Sequence, residues 1–161
     1  MSPFLKFALL LTLAAGTVLA EVRELEWSEL MPGDEVKAWI DRQMGVDHSG
    51  YGPSSSVFQS FTTVGELDGA QVRIPGFVVP VETTAEGLLS EFFLVPYFGA
   101  CIHVPPPPAN QIIYARLAKP IPMVNIWDAF WMEGTLKIEE VRNETADSAY
   151  TMDVSRLRLY E

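Results

Sequence analysis

The chain has 161 residues with 11 basic and 21 acidic side chains, a formal charge of −10, and a single cysteine. So acidic a surface repels phosphate backbones, which proteins hold with clustered Lys and Arg, so a nucleic-acid partner is excluded, and an anionic membrane surface is disfavoured on the same ground. One cysteine also excludes a disulfide-stapled scaffold, so a hydrophobic core or a bound ligand must hold the fold.

Residues 1–20 read as a cleavable secretory signal. Lys6 is its only charge, Phe7 to Leu19 form an apolar run, and Val18-Leu19-Ala20 offers a signal-peptidase site with Glu21 as the new N-terminus. The run is shorter than the roughly 20 apolar residues that a membrane span requires, so cleavage after Ala20 is expected rather than stable membrane insertion. The product is then periplasmic or secreted. Removing Lys6 leaves 10 basic against 21 acidic residues, near −11. Residues 21–161 fit one β-rich domain, with a helix and loop over 21–60 and a barrel over 61–161.

Leu25, Trp27 and Leu30 are apolar anchors in an otherwise acidic start. Pro32-Gly33-Asp34 predicts a turn and Asp34 a helix cap. Val36, Trp39 and Ile40 give the helix that follows, through Met44, one apolar face. Gly45 ends it, and the Gly- and Ser-rich stretch to Ser60, which contains His48, predicts a loop.

From Ala70 to Glu82 the pattern becomes strand-like. Val72, Ile74 and Val78 lie on one parity and Phe77, Val79 and Val81 on the other, with Pro75-Gly76 predicting a bulge or bend. Glu91 to Tyr97 and Gln111 to Leu117 predict two further strands. Lys119-Pro120-Ile121-Pro122 should leave the ladder, since two prolines lack the donor it needs. In the last two strands, the parity breaks at Glu139-Glu140 and Ser155-Arg156 predict bulges. Five or six bent strands, one N-terminal helix and no βαβ spacing predict a mainly β fold: a small antiparallel OB-like β-barrel. That likeness concerns the fold alone.

Chemistry concentrates between Tyr97 and Gln111. Pro105, Pro106, Pro107 and Pro108 predict a stiff, exposed polyproline segment. Just before it, Cys101 and His103 stand two apart, so in an extended chain both leave the same face. A thiolate and an imidazole so placed can chelate Zn or Cu. His48, Asp47 or Glu91 could supply further ligands. Two other readings stand beside the metal: a buried, inert thiol, or a thiolate activated by the imidazole. Tyr97, Phe98 and the prolines could also dock an envelope protein. Trp127 and Trp131, with Phe130 between, read as packing. No nucleophile elbow, zinc-protease motif, phosphate loop or dinucleotide fingerprint is present, which points away from catalysis.

Leu25-x-Trp27-x-x-Leu30-x-Pro32, Leu67-Asp68-Gly69, Val72-Arg73-Ile74-Pro75-Gly76-Phe77-Val78-Val79-Pro80 and the string from Glu91-Phe92 to Asn110-Gln111 carry a resemblance. Along nearly the whole mature chain the sequence resembles an exported bacterial family, domain of unknown function 3299. The resemblance implies a periplasmic or secreted location. It also implies a setting beside ABC transporter genes, some linked to zinc uptake. A periplasmic metal-handling accessory to an ABC-type system is therefore the expected function, with Cys101, His103 and His48 as its ligands. A docking module on an ABC transporter or other envelope protein is the alternative.

Overall fold

The computed structural model describes residues 21–44, 59–100 and 107–161. In chain order these form a two-residue strand β1 (Arg23–Glu24), a helix α1 (Gly33–Met44) and five longer strands. The strands are β2 (Gln71–Thr83), β3 (Leu89–Val95), β4 (Ile113–Ile121), β5 (Ala129–Arg142) and β6 (Asp147–Leu159). β2 pairs with β3, β3 with β4, β4 with β6, β6 with β5, and β5 returns to β2, closing a five-stranded barrel. The fold is mainly β, an OB-like barrel with one N-terminal helix.

One seam departs from the expected antiparallel sheet. β4 and β6 run parallel, with Ile113 opposite Tyr150 and Leu117 opposite Val154. Parallel neighbours need a long crossover between them, and here the whole of β5 supplies it.

Alternation along the strands sorts side chains to two sides of the barrel wall. Val72, Ile74, Val78, Phe92, Leu94, Met132, Leu136 and Met152 fill the interior, together with the fully buried Tyr150. Leu25 and Leu30 reach the same core from the N-terminal arm, and burying each contributes about 1.5–3 kcal/mol. The Tyr150 hydroxyl donates to the Leu30 carbonyl at 2.9 Å and accepts from the Val64 N–H at 2.7 Å, which ties arm to barrel. A second cluster lies on the opposite parity, where Phe93, Val95, Ala100, Ile112 and Tyr114 pack with Phe77, Val79 and Val81.

The bulges predicted near the end of the chain are present. The β5–β6 register skips Ser155, and it shifts again between Ile138 and Val141. The second shift brings Val141 to the outer cluster rather than to the barrel interior. Pro75-Gly76, by contrast, does not break β2: Pro75 stays opposite Trp131 and Gly76 opposite Phe130. Arg73 turns its carbonyl to β1, accepting from Leu25 N–H at 2.9 Å. Pro75, two residues on, turns to the same edge, between β1 and the end of β3, where no ladder donor is required. Its carbonyl accepts from the Trp27 indole at 2.7 Å.

Gly76 serves close approach: a Cβ there would lie 2.7 Å from the Val95 carbonyl oxygen. The bulge in β2 falls later, between Pro80 and Glu82. Lys119 and Pro120, expected outside the ladder, lie within the bounds of β4. The β3–β4 register is irregular across them and resumes with Ile121 opposite Leu89.

Candidate functional site

Buried residues hold both ends of the string that carries Cys101 and His103. Upstream, a turn follows β3. Gly99 takes a left-handed φ of +79° that favours glycine, and Ala100 then seats fully buried in the outer cluster. Downstream, Pro107 and Pro108 are buried, so the expected exposure of the polyproline segment does not extend to its last two residues. Proline suits that setting, because it brings apolar surface without an N–H that would need a partner.

A short 3-10 turn, Ala109–Gln111, follows, and all three of its residues are fully buried. The Gln111 side-chain amide donates to the Trp27 carbonyl at 2.8 Å. The Asn110 amide donates to the Thr62 carbonyl at 2.9 Å, to Glu35 at 3.2 Å and to the Ser60 hydroxyl at 3.3 Å. Ser60 donates in turn to the same Glu35 oxygen at 2.6 Å. Helix α1, the segment Ser60 to Thr62, and the turn after the proline run thus meet in one polar knot.

Cys101, His103, His48, Asp47, Pro105 and Pro106 lie outside the described residues. Among the described residues no group of three or more His, Cys, Asp or Glu side chains could hold a metal ion. Glu91, a candidate extra ligand, accepts a short hydrogen bond from the Tyr114 hydroxyl on the outer wall. Burial, followed by that contact with Glu91, pushes the Tyr114 pKa up to about 12. Arg116 lies over the Tyr114 ring at 5.2 Å and binds Glu139 through two nitrogens at 3.1 and 3.3 Å. Glu91 is therefore engaged in the wall of the barrel.

A pocket of about 210 Å³ opens where the two chemistry-bearing segments rejoin the barrel. Gln59, downstream of His48, and Pro107, four residues after His103, line one part of it; Asn143 and Glu144 of the β5–β6 turn and Asp147 at the start of β6 line another. Asp147 also faces Arg142 at 3.7 Å.

At the upstream end of the string, Phe98, a candidate docking residue, meets Trp127, which the sequence pattern assigned to packing. Phe77 is opposite both Val95 of β3 and Ala129 of β5. The chain leaving β3 and the chain entering β5 therefore flank it. Phe98 packs edge-on against Phe77 with ring centroids 6.1 Å apart, and Trp127 stacks on Phe98 at 4.4 Å. Phe98 is 41% and Trp127 68% exposed. Trp131 behaves differently, lying on the wall between Tyr160 at 5.1 Å and the Arg73 guanidinium at 4.9 Å. The signal for Trp127 was its position in a Pro- and Asn-containing loop between strands, where an indole has no sheet to pack into. Tyr97 is half-buried against the outer cluster.

The sequence profile of the family described as "Protein of unknown function (DUF3299)" matches residues 27–159. This chain belongs to the DUF3299 family. The crystal structure of a DUF3299 family protein from Pseudomonas aeruginosa PAO1 is similar at 38% identity, covering 88% of this chain and 98% of that one, with a TM-score of 0.67. A putative aspartyl-tRNA synthetase from Leishmania major Friedlin aligns at 14% identity over 78% of this chain and 26% of that one, with a TM-score of 0.40. No curated protein matches. The DUF3299 region takes in the whole Cys101–His103 string, both its buried anchors and the Phe98–Trp127 stack. No helix among the described residues is long and apolar enough to cross a membrane.

Proposed function

We propose that this DUF3299 protein is an exported metal-handling accessory that takes Zn²⁺ or Cu⁺ on Cys101 and His103 in the periplasm and serves an ABC-type transport system. The observation that carries this reading is the pocket shared by Gln59, Pro107, Glu144 and Asp147. It sets Gln59, downstream of His48, and Pro107, four residues after His103, beside two carboxylates. Thiolate and imidazole are the ligands that zinc and copper favour, and His48 with a carboxylate would complete a four-ligand set. The signal-like first 20 residues support the location, and the implied family setting supports the transport role.

The test is direct. Mature protein, reduced and stripped with chelator, should take up Zn²⁺ or Cu⁺ close to one ion per chain, with affinity falling as pH drops because the thiol and imidazole must lose protons to bind. C101S and H103A should each abolish uptake. D147N and E144Q should weaken it without abolishing it. Unchanged uptake in both C101S and H103A would refute the proposal.

Phe98 and Trp127 favour a second reading, a non-enzymatic module that docks on an envelope or transporter partner. Burial of Pro107 and Pro108 moves the contact surface away from the end of the proline run and onto the aromatic stack. Replacing Phe98 should then abolish partner capture while leaving metal uptake unchanged.

A further inference from the structure

We propose that the Phe98–Trp127 stack is a docking platform for an Arg- or Lys-bearing segment of another exported protein. The proposal rests on the docking reading and names the partner's chemistry.

The platform is held in place before any partner arrives. Trp127 is fixed from below by Phe98, itself braced by Phe77. From the side it is fixed by a turn in which the Asn125 amide donates to the Asp128 carboxylate at 2.9 Å and the Asp128 N–H donates to the Asn125 carbonyl at 3.1 Å. A preformed platform costs little further ordering on binding.

The protein's own aromatic rings indicate what the platform accepts. Among the described residues, guanidinium groups cover three rings: Arg73 lies over Trp131 at 4.9 Å, Arg142 over Phe61 at 4.9 Å and Arg116 over Tyr114 at 5.2 Å. Among the described residues none covers Trp127, the most exposed large apolar side chain and the ring type that attracts cations most strongly.

Charge selects the same partner. The chain carries 21 acidic against 11 basic residues. Its cations are largely engaged internally, with Arg23, Arg73, Arg116, Lys137, Arg156 and Arg158 each within 4 Å of a carboxylate. The excess is anionic, and Asp128 puts one carboxylate on the turn beside the indole. A cationic side chain meets both the π face and the field around it.

The probe is capped hexa-arginine amide, titrated into the full mature protein at low salt while the indole N–H signals are followed by NMR. Saturable binding that shifts the Trp127 signal is expected. W127A should weaken it roughly tenfold, W127F should restore most of it, and uncharged hexa-citrulline should not bind. W127A must first be shown to unfold cooperatively at the wild-type temperature. Equal affinity of wild type and W127A for hexa-arginine would overturn the proposal, since diffuse charge would then explain binding. Stronger binding of a proline peptide, or Trp127-dependent dimerisation, would also overturn it by naming a different occupant. Capture of an envelope protein lost in W127A, without hexa-arginine binding, would overturn the cationic partner and leave the docking reading standing. Loss of neither would remove both.

Discussion

The side-chain amide of Asn110 donates to the carboxylate of Glu35 at 3.2 Å and so joins the turn after the proline run to helix α1. Asn110 is fully buried and also donates to the Thr62 carbonyl and the Ser60 hydroxyl. On helix α1, Val36 and Trp39 are half-buried and Ile40 is 43% exposed. Removing the amide takes a donor from the Thr62 carbonyl and leaves Glu35 with the Ser60 and Thr62 hydroxyls alone. N110A should therefore lower stability by about 1–3 kcal/mol in urea unfolding. N110D should lower it further at neutral pH, because a second carboxylate would face Glu35. A loss below about 0.5 kcal/mol for N110A would show that the knot is incidental.

The same knot predicts a pH dependence. Burial raises the Glu35 pKa, and hydrogen bonds from Ser60, Thr62 and Asn110 outweigh it, so the net shift is downward from 4.5. A carboxyl with a lowered folded-state pKa stabilises the fold fully above its unfolded value. The contribution is lost as pH falls through the folded value, because the unfolded chain takes up the proton first. Wild-type stability should therefore fall more steeply below pH 4.5 than that of E35Q, the two converging in stronger acid. Parallel curves in an acid titration of the urea midpoint would refute this.

Local pattern carried much of the fold. Period-two alternation marked β2, β5 and β6, and the parity break at Ser155 located a bulge that the β5–β6 register contains. The expected helix ends at Met44 as α1 does, but α1 begins at Gly33, so Asp34 lies in its first turn rather than capping it. The parallel β4–β6 seam was not legible, because it depends on which strands meet after closure, and no window of local sequence encodes that. Pro107 and Pro108 misled for a related reason. Four prolines exclude a ladder, but a residue barred from a ladder can still be packed in a core. Trp127 misled in the other direction: its spacing of four from Trp131 resembles a packed pair, yet the two sit on different elements, a loop and a strand.

Gly134 offers the sharpest test of how tightly the barrel closes. It stands opposite Val72 of β2 and Val154 of β6, in the one strand that pairs with both. A Cβ built there would lie 2.3 Å from the Asp153 carbonyl oxygen and 2.9 Å from Met152 Cγ. Met152 can adjust a flexible side chain, but the Asp153 carbonyl belongs to the β6 backbone and can move only if the ladder does. The Ser155 bulge lies immediately beyond Val154, so the strand there is already at a register shift. G134A should therefore cost at least about 3 kcal/mol, the upper range for overpacking, or prevent folding. Gly33 is the control: a Cβ there would meet nothing within 4 Å, and its φ is ordinary. G33A should change stability by less than about 0.5 kcal/mol. Urea midpoints for the two variants decide the matter, and a G134A protein as stable as G33A would mean that β5 and β6 are further apart than their pairing implies.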